Sequence, residues 1–154
     1  MTSILRDKLQ QDNEVLCAHF EAPLRALAKR AVRVWFNRER LDQVLSQDTP
    51  LRQRCDLLYA INTNGRQLSA NVYPESIDTG AYGQDLSQRP YSVTTSVLNN
   101  AAFQGVFLCD TYVSQATGRP CITLMCGVTS GPTTLGFVAA DLDVQNLPAV
   151  LDSP

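Results

Sequence analysis

From residue 56 onward the chain consists of short runs in which side-chain character alternates every two residues, separated by Gly, Asn and Pro. Asp56–Ile61 and Gln67–Val72 flank Asn64-Gly65, a strong short hairpin signal because both residue types tolerate positive φ. Segments 106–114, 120–128 and 134–143 repeat the pattern, with turns at Ala116-Thr117-Gly118 and Ser130-Gly131-Pro132. Five strands following a helical first third predict an α+β domain: N-terminal helices packed on a five-stranded antiparallel sheet.

The helical third has two parts. Residues 3–22 read as a helix capped by Ser3, with an interrupted stripe of Ile4, Leu5, Leu9, Leu16 and Phe20. Pro23 is expected to kink or end it. Beyond it, Leu24, Leu27, Ala28, Ala31, Val34 and Trp35 share one face. Arg25, Lys29 and Arg33 form a solvated row on another. A short helix over Arg40–Ser46 should stop before Pro50. The expected organisation is therefore an arm at 1–22 and a single domain at 23–154. Leu5, Leu9 and Leu16 on the arm need cover, and an identical helix in a homodimer would supply it.

Residues 74–88 read as a long loop, and Tyr91–Asn100 as a short helix or turn. Between them lies Gly83-Gln84-Asp85-Leu86-Ser87-Gln88-Arg89-Pro90-Tyr91. Arg89 is one of three Lys/Arg residues after position 54, against eight Asp/Glu. A guanidinium held beside a proline and an aromatic suits a small anion. Equally, it suits a salt bridge that pins the loop.

Strand parity gathers further polar groups. Leu108, Asp110, Tyr112 and Ser114 should share a face; so should Cys121, Thr123 and Met125, and Phe137, Ala139, Asp141 and Asp143. Asp110, Tyr112, Thr123 and Asp141 are thus a polar set within apolar strands. Buried carboxylates require partners or a ligand.

Taken in order, the segment ending Arg89-Pro90-Tyr91, the strand Asp110-Thr111-Tyr112-Val113-Ser114, the hairpin Thr117-Gly118-Arg119-Pro120-Cys121-Ile122-Thr123 and the closing Gly136…Asp141 strand resemble the Cache-type (PDC, PAS-like) sensor domain over about residues 20–147. The resemblance implies a PAS-like sheet and a ligand pocket. In amino-acid-binding members an arginine and its neighbouring aromatic hold the ligand carboxylate; Arg89 and Tyr91 stand there. A strand tyrosine and a late aspartate hold the ammonium, and Tyr112 and Asp141 match. The chain departs from that pattern at Ser92 and Thr94, where the family has a second aromatic and an aspartate. With Asp110 and Thr123 from parity, the expected ligand-binding set is Arg89, Tyr91, Asp110, Tyr112, Thr123 and Asp141.

Other classes are disfavoured. The formal charge of −2 divides into +3 over residues 1–54 and −5 over 55–154, too mild an asymmetry for nucleic-acid binding. No apolar run reaches a membrane-span length, and the start lacks a signal-peptide layout. Five cysteines without C-x-x-C spacing read as reduced core thiols, which sets the expectation of a cytoplasmic protein with neither membrane association nor cofactor. Cache-type domains usually sit outside the membrane, so this expectation departs from the family. His19 is the only histidine, no nucleophile–base or phosphate-loop motif occurs, and Asp110, Asp141 and Asp143 have no metal-site spacing. An enzyme is not expected. The primary expectation is a sensory module binding a small carboxylate or amino-acid-like metabolite and signalling to a separate protein. The alternatives are a protein-interaction or dimerisation module with a vestigial pocket, and a cysteine redox switch, disfavoured because its thiols look buried.

Overall fold

The structure, a computed structural model, describes residues 2–86, 106–108, 112–113, 118, 120–143 and 145, with side chains described for 15–86, 118, 120–143 and 145. Its first element is one helix, α1 (Thr2–Val32). Pro23 lies inside it rather than ending it. A proline there removes one intrahelical bond, but the turns on both sides are seated: Phe20, Leu24 and Leu27 have no exposed surface. Full burial of such side chains contributes about 1.5–3 kcal/mol each, enough to offset a missing bond. Leu16 is 1% exposed, so it finds its cover within its own chain. Arg25, Lys29 and Arg33 are exposed, as their spacing predicted.

Two short helices follow. Asn37 caps α2 (Arg38–Ser46) by accepting from the Arg40 amide. α3 (Thr49–Arg54), which sequence reading passed over, is capped by Asp48 and carries Pro50 in its first turn. A proline in the first turn costs no bond, so Pro50 begins a helix where it was expected only to bar one. Arg30 reaches from α1 to pair with Asp48, tying α3 to the long helix.

The sheet is antiparallel throughout. Its strands are β1 (Leu57–Asn62), β2 (Asn71–Val72), β3 (Ile77–Asp78), β4 (Val106–Leu108), β5 (Tyr112–Val113), β6 (Pro120–Ser130) and β7 (Thr133–Asp143). The order is β3-β2-β1-β7-β6-β4, with β5 also paired to β6. β4 and β5 are thus two pieces of the expected third strand, and β3 is a short addition at the edge of the expected five. β6 and β7 pair from Cys121–Asp143 to Ser130–Thr133 around Gly131-Pro132, where Gly131 takes the positive φ (59°) that tight turns demand.

The two faces are both buried. On the helix side Leu58, Ala60, Leu124, Cys126, Val138, Ala140 and Leu142 pack with α1. On the other, Leu57, Tyr59, Ile61, Met125, Phe137 and Ala139 gather with Leu86. Tyr59, Ile61, Leu108, Ile122, Leu124 and Val138 are the strand residues expected in the core; the side chain of Leu108 lies outside the described residues, and the other five are buried.

Three expectations are corrected. The strand over 67–72 is pairing-competent only at its ends, with a bridge at Gln67 and β2 at Asn71–Val72. Between them the buried Ser69 hydroxyl accepts from the Ala60 amide (2.8 Å), taking the place of a ladder carbonyl. At Asn64-Gly65 only Gly65 has positive φ; the Asn62 side chain holds the turn by accepting from the Asn64 and Arg66 amides. In the third strand, Leu108 and Tyr112 do not share a side. The pairs Leu108–Leu124 and Tyr112–Cys121 span four residues on one strand against three on β6, and the extra residue reverses the alternation. Tyr112 therefore takes a register position on the side of Cys121, Thr123 and Asp141. The loop expected over 74–88 contains, within its described part, β3 and a single 3₁₀ turn (Thr79–Ala81). The helix or turn expected over 91–100 lies outside the described residues.

One contact seats the helical layer on the sheet. A Cβ at Gly136 would run into the Ile61 carbonyl oxygen, the Trp35 ring and the Asn62 Cα. Gly136→Ala should therefore destabilise the fold by about 2–3 kcal/mol, read as a fall in Tm of about 5–10 °C. A melting temperature within a degree of wild type would show that the β1 backbone and Trp35 both give way at little cost.

Candidate functional site

The face away from the helices carries the polar chemistry. Asp141 lies in β7 opposite Thr123 of β6 and Leu57 of β1. Its carboxylate is 3% exposed, and its Oδ1 accepts from two hydroxyls: Thr123 at 2.6 Å and Tyr59 at 3.0 Å. Thr123 and Tyr59 are themselves buried. Alternation explains the convergence, because residues 59, 123 and 141 occupy three adjacent strands on one side of the sheet. Asp143, two residues on, shares that side and accepts from the Gln145 amide at 2.9 Å.

A carboxylate on this apolar face is costly unless its charge is met by donors. The Thr123 and Tyr59 hydroxyls are two such donors, and they fix the orientation of the carboxylate on this face.

The way the chain arrives at this face is also described. The Gly83 amide donates to the Gln67 carbonyl (2.8 Å), and the Leu86 amide to the Gly65 carbonyl (2.7 Å). These bonds clamp the start of the Gly83–Tyr91 stretch to the β1–β2 connection. Leu86, 1% exposed, then packs with Tyr59, Met125 and Phe137. The chain is thus delivered to the Asp141 side of the sheet three residues before Arg89 in sequence.

Of the six expected ligand-binding residues, the structure brings Thr123 and Asp141 into direct contact. Tyr112 has the register position described above. Arg89, Tyr91 and Asp110 lie outside the described residues. Sequence reading missed Tyr59 as a member of the site and assigned it only to the core. Its signal was available: a lone tyrosine in an aliphatic strand must find a partner for its hydroxyl.

Cys17, Cys55 and Cys126 are poorly suited to redox chemistry. Burial pushes the Cys55 thiol far up, and it donates to the Leu51 carbonyl. Burial likewise pushes Cys126 up to about 11. Half-buried Cys17 is raised by burial and by Glu21. Among the described residues no group of three or more His, Cys, Asp or Glu could hold a metal ion, and no helix is long and apolar enough to cross a membrane.

No family model matches the chain, and no curated protein does. Solved structures match over nearly its whole length. The ligand-binding domain of the Pseudomonas fluorescens chemoreceptor CtaA, in complex with L-alanine, has a TM-score of 0.64 at 17% identity, covering 97% of this chain and 63% of that one. The ligand-binding domain of the Pseudomonas aeruginosa amino-acid chemoreceptor PctC, in complex with GABA, has a TM-score of 0.61 at 15% identity, covering 92% and 63%. The Bacillus subtilis YkuI protein, which has an EAL domain, has a TM-score of 0.62 at 16% identity, covering 92% and 35%. The chain spans less than two thirds of the length of each. Its fold is that of the Cache-type ligand-binding domains of chemoreceptors.

Two outcomes follow from the site's geometry. Tyr59→Phe removes a hydroxyl from a buried carboxylate and should lower unfolding stability by about 1.5–3 kcal/mol in urea titrations; an unchanged midpoint would mean the bond contributes nothing net. For the thiols, a value near 11 leaves Cys126 only about one part in a thousand thiolate at pH 8. Iodoacetamide should therefore label Cys17 before Cys126 or Cys55 in the native protein, as mapped by mass spectrometry, with the latter two reacting on unfolding. Fast native labelling of Cys55 would revive the redox reading.

Proposed function

We propose that the chain is a sensory module that binds a small carboxylate or amino-acid-like metabolite on the sheet face opposite its helices. The observation that carries this reading is the buried Asp141 carboxylate, held by Tyr59 and Thr123 on an otherwise apolar face. In the proposed arrangement Asp141 with Tyr112 takes the ammonium end of the ligand, Arg89 with Tyr91 takes the carboxylate, and Asp110 and Thr123 border the site. The fold supports the ligand class, since matched chemoreceptor domains carry L-alanine and GABA. Anchoring of Gly83–Leu86 to the hairpin supports the placement of the arginine stretch, because a clamped approach limits where the next residues can reach.

A reducing, cytoplasmic setting and a separate signalling partner belong to the same proposal. The support for the setting is that Cys55 and Cys126 are buried, unlinked thiols.

A thermal-shift screen of the full chain against the twenty amino acids, GABA and small dicarboxylates tests the reading. Ligand present at about 100 times its Kd should add about 2.7 kcal/mol of apparent stability, a rise in Tm of several degrees. Arg89→Ala should weaken binding by about one to two decades while leaving the protein folded. If no compound stabilises the wild type and Arg89→Ala collapses its melting temperature, the arginine is a structural brace and the sensing proposal fails.

A further inference from the structure

A cavity lies at the other end of β1 and β7, where its β7 wall, Leu135, stands six residues from Asp141, or about 20 Å. It encloses about 290 Å³, at the small end of the range for ligand pockets. Its walls are aromatic and aliphatic: Trp35 and Phe36 from the turn after α1, Tyr82 from the loop, and Leu135 from β7. Its polar groups are Arg38 and Asn62, and no carboxylate lines it.

These polar groups present donors. The Asn62 side-chain oxygen is committed to the Asn64 and Arg66 amides, both at 2.9 Å, which leaves its NH₂ as the unspent end. The Arg38 guanidinium lies 3.8 Å over the Tyr82 ring and donates through Nη2 to the Thr79 carbonyl at 3.0 Å. It is thereby held in one orientation, with its Nε and Nη1 donors making no bond and no carboxylate paired to it among the described residues. Trp35, 4% exposed, has no acceptor for its indole N–H among the described residues. Phe36, at the rim, is 87% exposed, far beyond what an ordinary core-flanking aromatic shows.

A fixed cation, further donors, no anion and flat apolar walls define a complementary ligand. We propose that this cavity is a binding site for a small organic anion that joins a carboxylate to a flat apolar body, an aryl carboxylate being the simplest. The carboxylate meets the open edge of the Arg38 guanidinium, and the ring lies among Trp35, Phe36 and Leu135. Little side-chain order has to be created on binding, because the stack on Tyr82 already holds the arginine. The site is separate from the Asp141 face and does not depend on the sensing proposal.

Trp35 is the sole tryptophan of the chain, so its emission reports on this cavity directly. The full chain is titrated with phenylacetate and with phenylacetamide, its neutral isostere. The expected result is a saturable change in emission with a Kd of about 0.1–1 mM for phenylacetate, at least about tenfold weaker for the amide. Arg38→Gln should weaken phenylacetate about tenfold or more, whereas Arg38→Lys, which keeps charge but loses the fork, should fall between. Alanine or GABA in excess should not displace it. No saturable change up to about 10 mM phenylacetate, equal binding of acid and amide, wild-type affinity in a folded Arg38→Gln, or displacement by the amino acids would each overturn the assignment.

Discussion

The long pairing of β6 with β7 is the constraint on which the rest of the molecule depends. An eleven-residue strand on each side of a two-residue turn fixes the alternation of both strands at once. A slip of β7 by one residue against β6 would carry Asp141 to the helix side and Ala140 away from it. The opposed demands of the two faces therefore lock the register: one must be apolar enough to seat α1, and the other must bring hydroxyls to a carboxylate. β1 then docks on β7 with no freedom of register, and Tyr59 arrives within hydrogen-bonding reach of Asp141.

The Asp141 cluster is a product of neighbouring strands rather than of any loop. Tyr59, Thr123 and Asp141 are far apart in sequence, yet each sits in regular backbone on a central strand. Groups placed this way lose little further freedom when a ligand arrives, which is the usual advantage of building a site on rigid elements. The carboxylate-binding end of the proposed pocket is drawn from the Gly83–Tyr91 stretch, whose first residues are tied down by backbone bonds to the β1–β2 turn.

Much of this was legible in residue order. Alternation in 120–143 assigned both faces of β6 and β7, and it placed Thr123 beside Asp141 as a consequence. The stripe from Leu24 to Trp35 was equally readable, because a helix period is local information. What escaped reading depended on tertiary context. Pro23 is tolerated because Phe20 and Leu24 are pinned from outside the helix. Ser69 interrupts a strand because its hydroxyl takes an amide from a different strand, which no propensity encodes. Tyr112 changes sides because β4 and β5 carry one residue more than β6 opposite them, a mismatch visible only once both strands are paired. Tyr59 was read as core because its burial was evident and its partner, 82 positions away, was not.

The unbroken passage of α1 through Pro23 has a mechanical consequence. The helix runs unbroken for 31 residues. At 1.5 Å per residue that is a rod of about 46 Å, so a tilt of about 5° about its middle moves each end by about 2 Å. A break at Pro23 would have absorbed such a tilt in a hinge. A continuous rod instead magnifies displacements too small to alter the packing of the sheet beneath it.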